Sequence, residues 1–186
     1  MANADVANGF TPLRHMTGGT MRTSTYTLAS AYNTNIFNGD VVKLVTGGGI
    51  ELAAVGNRFI GVFAGVKYTD ASGNQVFSEY WPADTVATSI EAQVYDDPYI
   101  VFAAQSNGST VAADVGELTN HVAGSGSTVT GRSAHELNAS SGTGTAGFRI
   151  LGKVDSPDNA WGTNVILEVQ SYEHELVDHA QSTPGV

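Results

Sequence analysis

Apolar residues in this chain recur at every second position in short stretches, and no long segment repeats them at the 3.6-residue spacing of a helix. Ile90, Ala92 and Val94 share one parity while Glu91 and Gln93 take the other. Asp96-Asp97-Pro98 then supplies turn chemistry, and alternation resumes with Ile100, Phe102 and Ala104. Phe148, Ile150 and Val154 fall opposite Arg149 and Lys153, and Val165, Leu167 and Val169 form another inward set. A period of two places these residues on one covered face of a sheet. The pattern predicts a mainly β protein with a single β-barrel or β-sandwich body.

Other strands are marked by their boundaries. Residues 40–45 lead into Gly47-Gly48-Gly49, where positive φ carries no Cβ penalty, and residues 50–54 follow as a return strand. Residues 59–68 are apolar on both parities, as in a strand covered on both faces. Residues 70–74 turn the chain and residues 75–81 return as a hairpin. Residues 115–123 read as either a short helix or an irregular strand. Residues 124–147 are rich in Ser, Thr and Gly, and a loop of that length is usually functional or mobile. The expected organisation is an extended N-terminal arm at 1–25, a β-rich body at 26–172 containing the 124–147 loop, and a C-terminal tail at 173–186. No internal repeat is evident.

Charge and composition exclude several functions. The chain has 186 residues with 18 acidic and 8 basic side chains, a formal net charge of −10. Lys43, Lys67 and Lys153 are its only lysines, so no basic stripe can track phosphates and no direct nucleic-acid partner is expected. The apolar run at residues 59–66 is far short of the roughly 20 residues a membrane helix needs, so no membrane partner is expected either. The N-terminus lacks the features of a signal peptide, and we expect a soluble chain. Without cysteine there are no disulfides, thiolate nucleophiles or Cys-ligated metals.

The motifs carry little chemistry. Residues 126–133 approach a phosphate-binding loop, but Arg132 stands where the lysine belongs and no strand–helix context surrounds it. His174 and His179 are five residues apart, which on a helix leaves the imidazoles roughly 140° apart, so they cannot share one metal. His15, His121 and His135 are scattered without triad partners. Asp96-Asp97 and Asp155 to Asp158 lie at Pro-containing turns, where carboxylates serve local hydrogen bonds. We expect no catalytic residues, no metal and no cofactor: the chain reads as a binding or structural protein and not an enzyme.

The leading residues suggest where contact is made. Phe10, Leu13 and Met16 are spaced apolar anchors in a segment without period. Burying them contributes roughly 1.5–3 kcal/mol each, whereas fixing a dozen backbone residues costs on the order of 12 kcal/mol. A docked arm therefore needs backbone pairing with a strand or the help of linked copies. Tyr80-Trp81-Pro82 is the densest aromatic cluster, suited to core packing or to a subunit contact.

Several phrases together resemble the head decoration (cement) proteins of tailed bacteriophages. They are residues 38–44 (Asn-Gly-Asp-Val-Val-Lys-Leu), 48–54, 59–65, 95–99 (Tyr-Asp-Asp-Pro-Tyr) and 114–133, within a span of roughly 9–172. The resemblance implies a small β-rich body, often trimeric, on the outer surface of a capsid, with arms across neighbouring capsid subunits. On that reading the partner is the major capsid protein, Phe10, Leu13, Arg14 and Met16 are capsid-contact candidates, and Tyr80 and Trp81 are subunit-contact candidates. The alternative is a carbohydrate-binding or adhesive β module such as a tail-fibre component.

Overall fold

Period-two stretches become strands, and two sheets cover each other's apolar faces. The computed structural model describes residues 3–140 and 147–177. Its main strands are β1 (Thr11–His15), β2 (Ser24–Leu28), β3 (Val41–Leu44), β4 (Gly49–Leu52), β5 (Gly61–Asp70) and β6 (Gln75–Ser78). After these come β7 (Ala87–Tyr95), β8 (Ile100–Gln105), β9 (Leu118–Thr119), β10 (Phe148–Lys153) and β11 (Ile166–Ser171). Two-residue strands pair locally: Ile36–Phe37 with Tyr80–Trp81, Ser109–Thr110 with Gly162–Thr163, and His121–Val122 with Glu136–Leu137.

The first sheet runs β3-β4-β2-β7-β5, and β5 returns to β3, so the strands close into a small barrel. Hairpin strand β6 extends it beyond β5. Only the β2–β4 pairing is parallel among these ladders. The register of β5 on β7 shifts between Phe63 and Gly65 and again between Lys67 and Thr69. Such bulges increase local twist and bend a long strand toward closure. At Gly61 a Cβ would lie 2.1 Å from the Tyr95 carbonyl oxygen, so only glycine permits that approach. Leu28, Val42, Ile50, Phe63, Val66, Ala92 and Val94 fill the interior with Ile36, Tyr68 and Trp81.

The second sheet is fully antiparallel in the order β1-β8-β11-β10-β9. Its inner face brings Ile100, Phe102, Ala104, Leu167, Val169, Phe148 and Ile150 against Val41, Ala53, Phe59 and Val62 of the barrel. The parity read from sequence places the buried residues of β7 and β11 correctly; in β8 it finds Ile100, Phe102 and Ala104 but not Val101, which is buried on the opposite parity. In β10 a register shift between Ile150 and Gly152 breaks it, and Val154 is only half-buried.

Three expectations about the periphery change, and a fourth, for residues 115–123, resolves to its strand alternative. Residues 3–25 do not separate from the body: β1 is the edge strand of the second sheet, and β2 begins at Ser24. Residues 124–140 are not a free loop, because Ser133, His135 and Leu137 are buried beneath neighbouring segments. The stretch at 115–123 forms the short strands at Leu118–Thr119 and His121–Val122, after a turn of 3-10 helix at Ala112–Asp114. Of the expected tail, Glu173–Val177 packs on the body through backbone bonds to Phe59; residues 178–186, His179 among them, and 141–146 lie outside the described residues.

Candidate interaction surface

The leading segment docks on its own chain. Asn3 donates to the carbonyls of Ala160 and Thr163, each at 2.8 Å, and accepts from the Ala160 amide at 3.0 Å. Gln105 accepts from the Val6 amide at 3.0 Å and donates to the Ala4 carbonyl at 2.7 Å. The Phe10 amide donates to the Gly39 carbonyl at 2.9 Å. Beyond it β1 pairs with β8, Thr11 opposite Ala103 and His15 opposite Ile100. Backbone pairing is what the energetic argument demanded of the segment, and an intramolecular strand supplies it.

Phe10, a capsid-contact candidate from sequence, is instead core, with 1% of its surface exposed. Its ring stacks on Phe148 with centroids 4.5 Å apart, and Phe148 stacks on Phe59 at 4.7 Å. Because β1 runs along the edge of a covered sheet, the residue entering it is carried over the apolar face. Leu13, Arg14 and Met16 remain at the surface. The register of β1 shifts between Pro12 and Arg14, leaving Leu13 as the extra residue, 38% exposed. Met16 is 46% exposed, and its amide donates to the carbonyl of Tyr99, itself 46% exposed. Arg14 pairs with Glu168 at 2.9 Å, and His15 meets Asp97 at 3.0 Å. The result is a fixed rim of Leu13, Met16 and Tyr99 beside one cation. Pro12 and the bulge on this edge oppose addition of a further strand, so the rim offers side chains and not a template for pairing.

At the entry to β1 three segments cross. The Asn38 amide donates to the Gly131 carbonyl at 3.0 Å, and the Ser133 amide donates to the Asn38 carbonyl at 2.9 Å. Gly9, with φ +66°, lies so close that a Cβ would come within 2.5 Å of Ser133 Cβ and 2.8 Å of the Gly39 oxygen. Asp40 and His135 are sealed under this crossing, 2% and 1% exposed. Asp40 Oδ2 accepts from the Phe37 amide at 2.8 Å. Burial pushes the Asp40 carboxyl up to about 6, against the opposite pull of Ser133 and Phe37. His135 Nδ1 accepts from the Val41 amide at 3.5 Å, which places the ring proton on Nε2, 3.4 Å from Asp40 Oδ1. His121 stacks on His135 with centroids 5.5 Å apart and donates from Nε2 to the Ala53 carbonyl at 3.2 Å. Burial holds both histidines down at about 4, and for His121 the neighbouring His135 adds to it. Asp40 Oδ1 has no solvent access; the cluster clamps segments together, and Asp40 and His135 form part of the wall of a cavity of about 360 Å³ with Thr34, Phe37, Leu52 and Ser125.

The remaining candidates have structural positions. Trp81 is fully buried in the barrel, edge-on to Tyr68 at 5.3 Å, and is core, not an exposed subunit contact. Tyr80 is half-buried and stacks on Phe37 at 5.4 Å. Residues 127–132 form a turn closed by the Ser127 and Arg132 backbones, with no following helix to hold a phosphate. Asp96 accepts from Ser24 and Tyr26 at 2.9 and 2.7 Å, tying β2 to the turn after β7. No group of three or more His, Asp or Glu side chains that could hold a metal occurs among the described residues. Sequence reasoning missed Tyr99, which follows the Asp96–Pro98 turn, and the Asp40, His121 and His135 cluster. The antiparallel pairing of His121 with Leu137, sixteen residues on in the same chain, brings those histidines together.

No family model, curated protein or solved structure matches the chain.

Proposed function

We propose that the chain is a virion structural protein that binds the outer surface of a tailed-phage capsid and stabilises it, as a decoration or cement protein working as a homo-oligomer, of which a trimer is the form we favour. It performs no catalysis and needs no cofactor. The observation that carries this reading is the rim of Leu13, Met16 and Tyr99 beside Arg14, held on a paired edge strand. A rigid contact pays little ordering entropy on binding. Several copies linked in an oligomer then bind at high effective concentration, which lets a small patch hold a shell. The acidic surface, with net charge −10, adds solubility while the rim supplies the adhesive area.

The test is reconstitution on capsids stripped of this protein. Replacing Leu13 and Met16 together by serine removes exposed apolar area without touching the core. We expect occupancy measured by co-sedimentation to fall roughly tenfold or more, with an unchanged melting temperature. Unchanged occupancy of the double variant would remove the rim from the account.

A further inference from the structure

Away from the residues of the β1 rim, β6, β5 and β7 lie side by side on the outer wall of the barrel. Lys67 stands opposite Phe77 on one side and Glu91 on the other. Two positions along the same face, Gly65 stands opposite Gln93, which in turn faces Thr25. With no side chain at Gly65 the wall is hollow there. The hollow measures about 360 Å³ and is lined by Gly65, Lys67, Phe77, Glu79, Glu91 and Gln93. That is within the roughly 300–1,000 Å³ range of ligand pockets.

The chemistry of the lining narrows the ligand. Phe77 is 74% exposed, the most exposed aromatic side chain among the described residues, and offers a ring face to an apolar surface. Lys67 Nζ sits 3.2 Å from Glu91 Oε1 in the middle of the row. Gln93 is held by Thr23 and Thr25, each at 3.1 Å, and Glu79 accepts from Asn38 at 2.5 Å. These bonds fix the polar groups in place before any ligand arrives. An anion entering the hollow meets the carboxylates of Glu79 and Glu91, and a cation meets the Lys67 ammonium. A neutral polyol avoids both conflicts, because each hydroxyl can donate to a carboxylate or accept from an ammonium or amide. A ring with a face of C–H groups also covers Phe77.

We propose that this hollow binds a neutral hexose unit of a glycan, its C–H face on Phe77 and its hydroxyls on Glu91, Lys67 and Gln93. The site is separate from the β1 rim, so glycan binding and capsid attachment succeed or fail independently. The experiment is saturation-transfer NMR on the full chain with neutral oligosaccharides of glucose, mannose, galactose and N-acetylglucosamine. Sialyllactose and oligolysine serve as charged controls. Transfer to ring protons of a neutral sugar is expected, weakened at least tenfold in both Phe77→Ala and Gln93→Ala, while capsid occupancy stays unchanged. Gln93→Ala keeps the test valid should Phe77→Ala fold poorly. No transfer to any neutral sugar, equal binding by the variants, or preference for a charged control would overturn the assignment.

Discussion

Replacing Phe10 by alanine is expected to destabilise the whole protein by about 3–5 kcal/mol, the range for removing a fully buried aromatic ring. Phe10 is the outer member of a stack that continues through Phe148 to Phe59, and so joins the leading segment, the second sheet and the barrel. Its removal leaves Phe148 with an empty face and the Phe10–Gly39 backbone bond without a packed neighbour. At roughly 2–4 °C per kcal/mol for a chain of this size, the melting temperature should fall by about 10 °C. Circular dichroism on heating and urea titration both read this. A loss below about 1 kcal/mol would mean that the segment contributes no core.

Stability should also fall steeply on acidification between about pH 6.5 and 4. His121 and His135 are held near 4 in the folded protein, against 6.5 in an unfolded chain. The unfolded state therefore binds more protons across that window, and stability declines as pH drops through it. Asp40 works in the opposite sense. Its folded value of about 6 lies above the unfolded 3.8, so the folded state takes up a proton first and regains stability from about pH 6 downward. With 1.36 kcal/mol per unit, each histidine costs about 3 kcal/mol and Asp40 returns about as much as one of them. The net loss is about 3 kcal/mol, located at the crossing of residues 8–10, 36–40 and 124–137. Urea midpoints measured from pH 7 to 4 should show it, and His121→Leu should nearly abolish the decline, because the one remaining histidine is then offset by Asp40. A midpoint that stays flat over this range contradicts the buried cluster.

The strands were legible in the sequence because their alternation reports directly which face is covered. Ile100, Phe102 and Ala104, or Leu167 and Val169, needed no knowledge of the partner sheet. Position in the fold was not legible. The same spaced residues, Phe10, Leu13 and Met16, suit an arm on another surface equally well, and only the pairing of Thr11–His15 with β8 decides between them. Burial of Trp81 depends on the local pairing of Tyr80–Trp81 with Ile36–Phe37 across more than forty residues of chain. The Ser/Thr/Gly-rich stretch misled for a related reason. Small residues such as Gly126, where a Cβ would meet the Phe37 ring at 2.4 Å, permit close packing as readily as they permit motion. The hollow at Gly65 arises from register across three strands, which no local pattern encodes.

Whether the leading segment belongs to the body or hangs free is decided most directly by amide hydrogen exchange in the isolated protein. The amides of Val6, Phe10 and Met16, bonded to Gln105, Gly39 and Tyr99, should exchange slowly, with Phe10 and Met16 protected to a degree comparable with β8. Exchange of all three at the rate of an unstructured peptide, while β8 stays protected, would contradict the account.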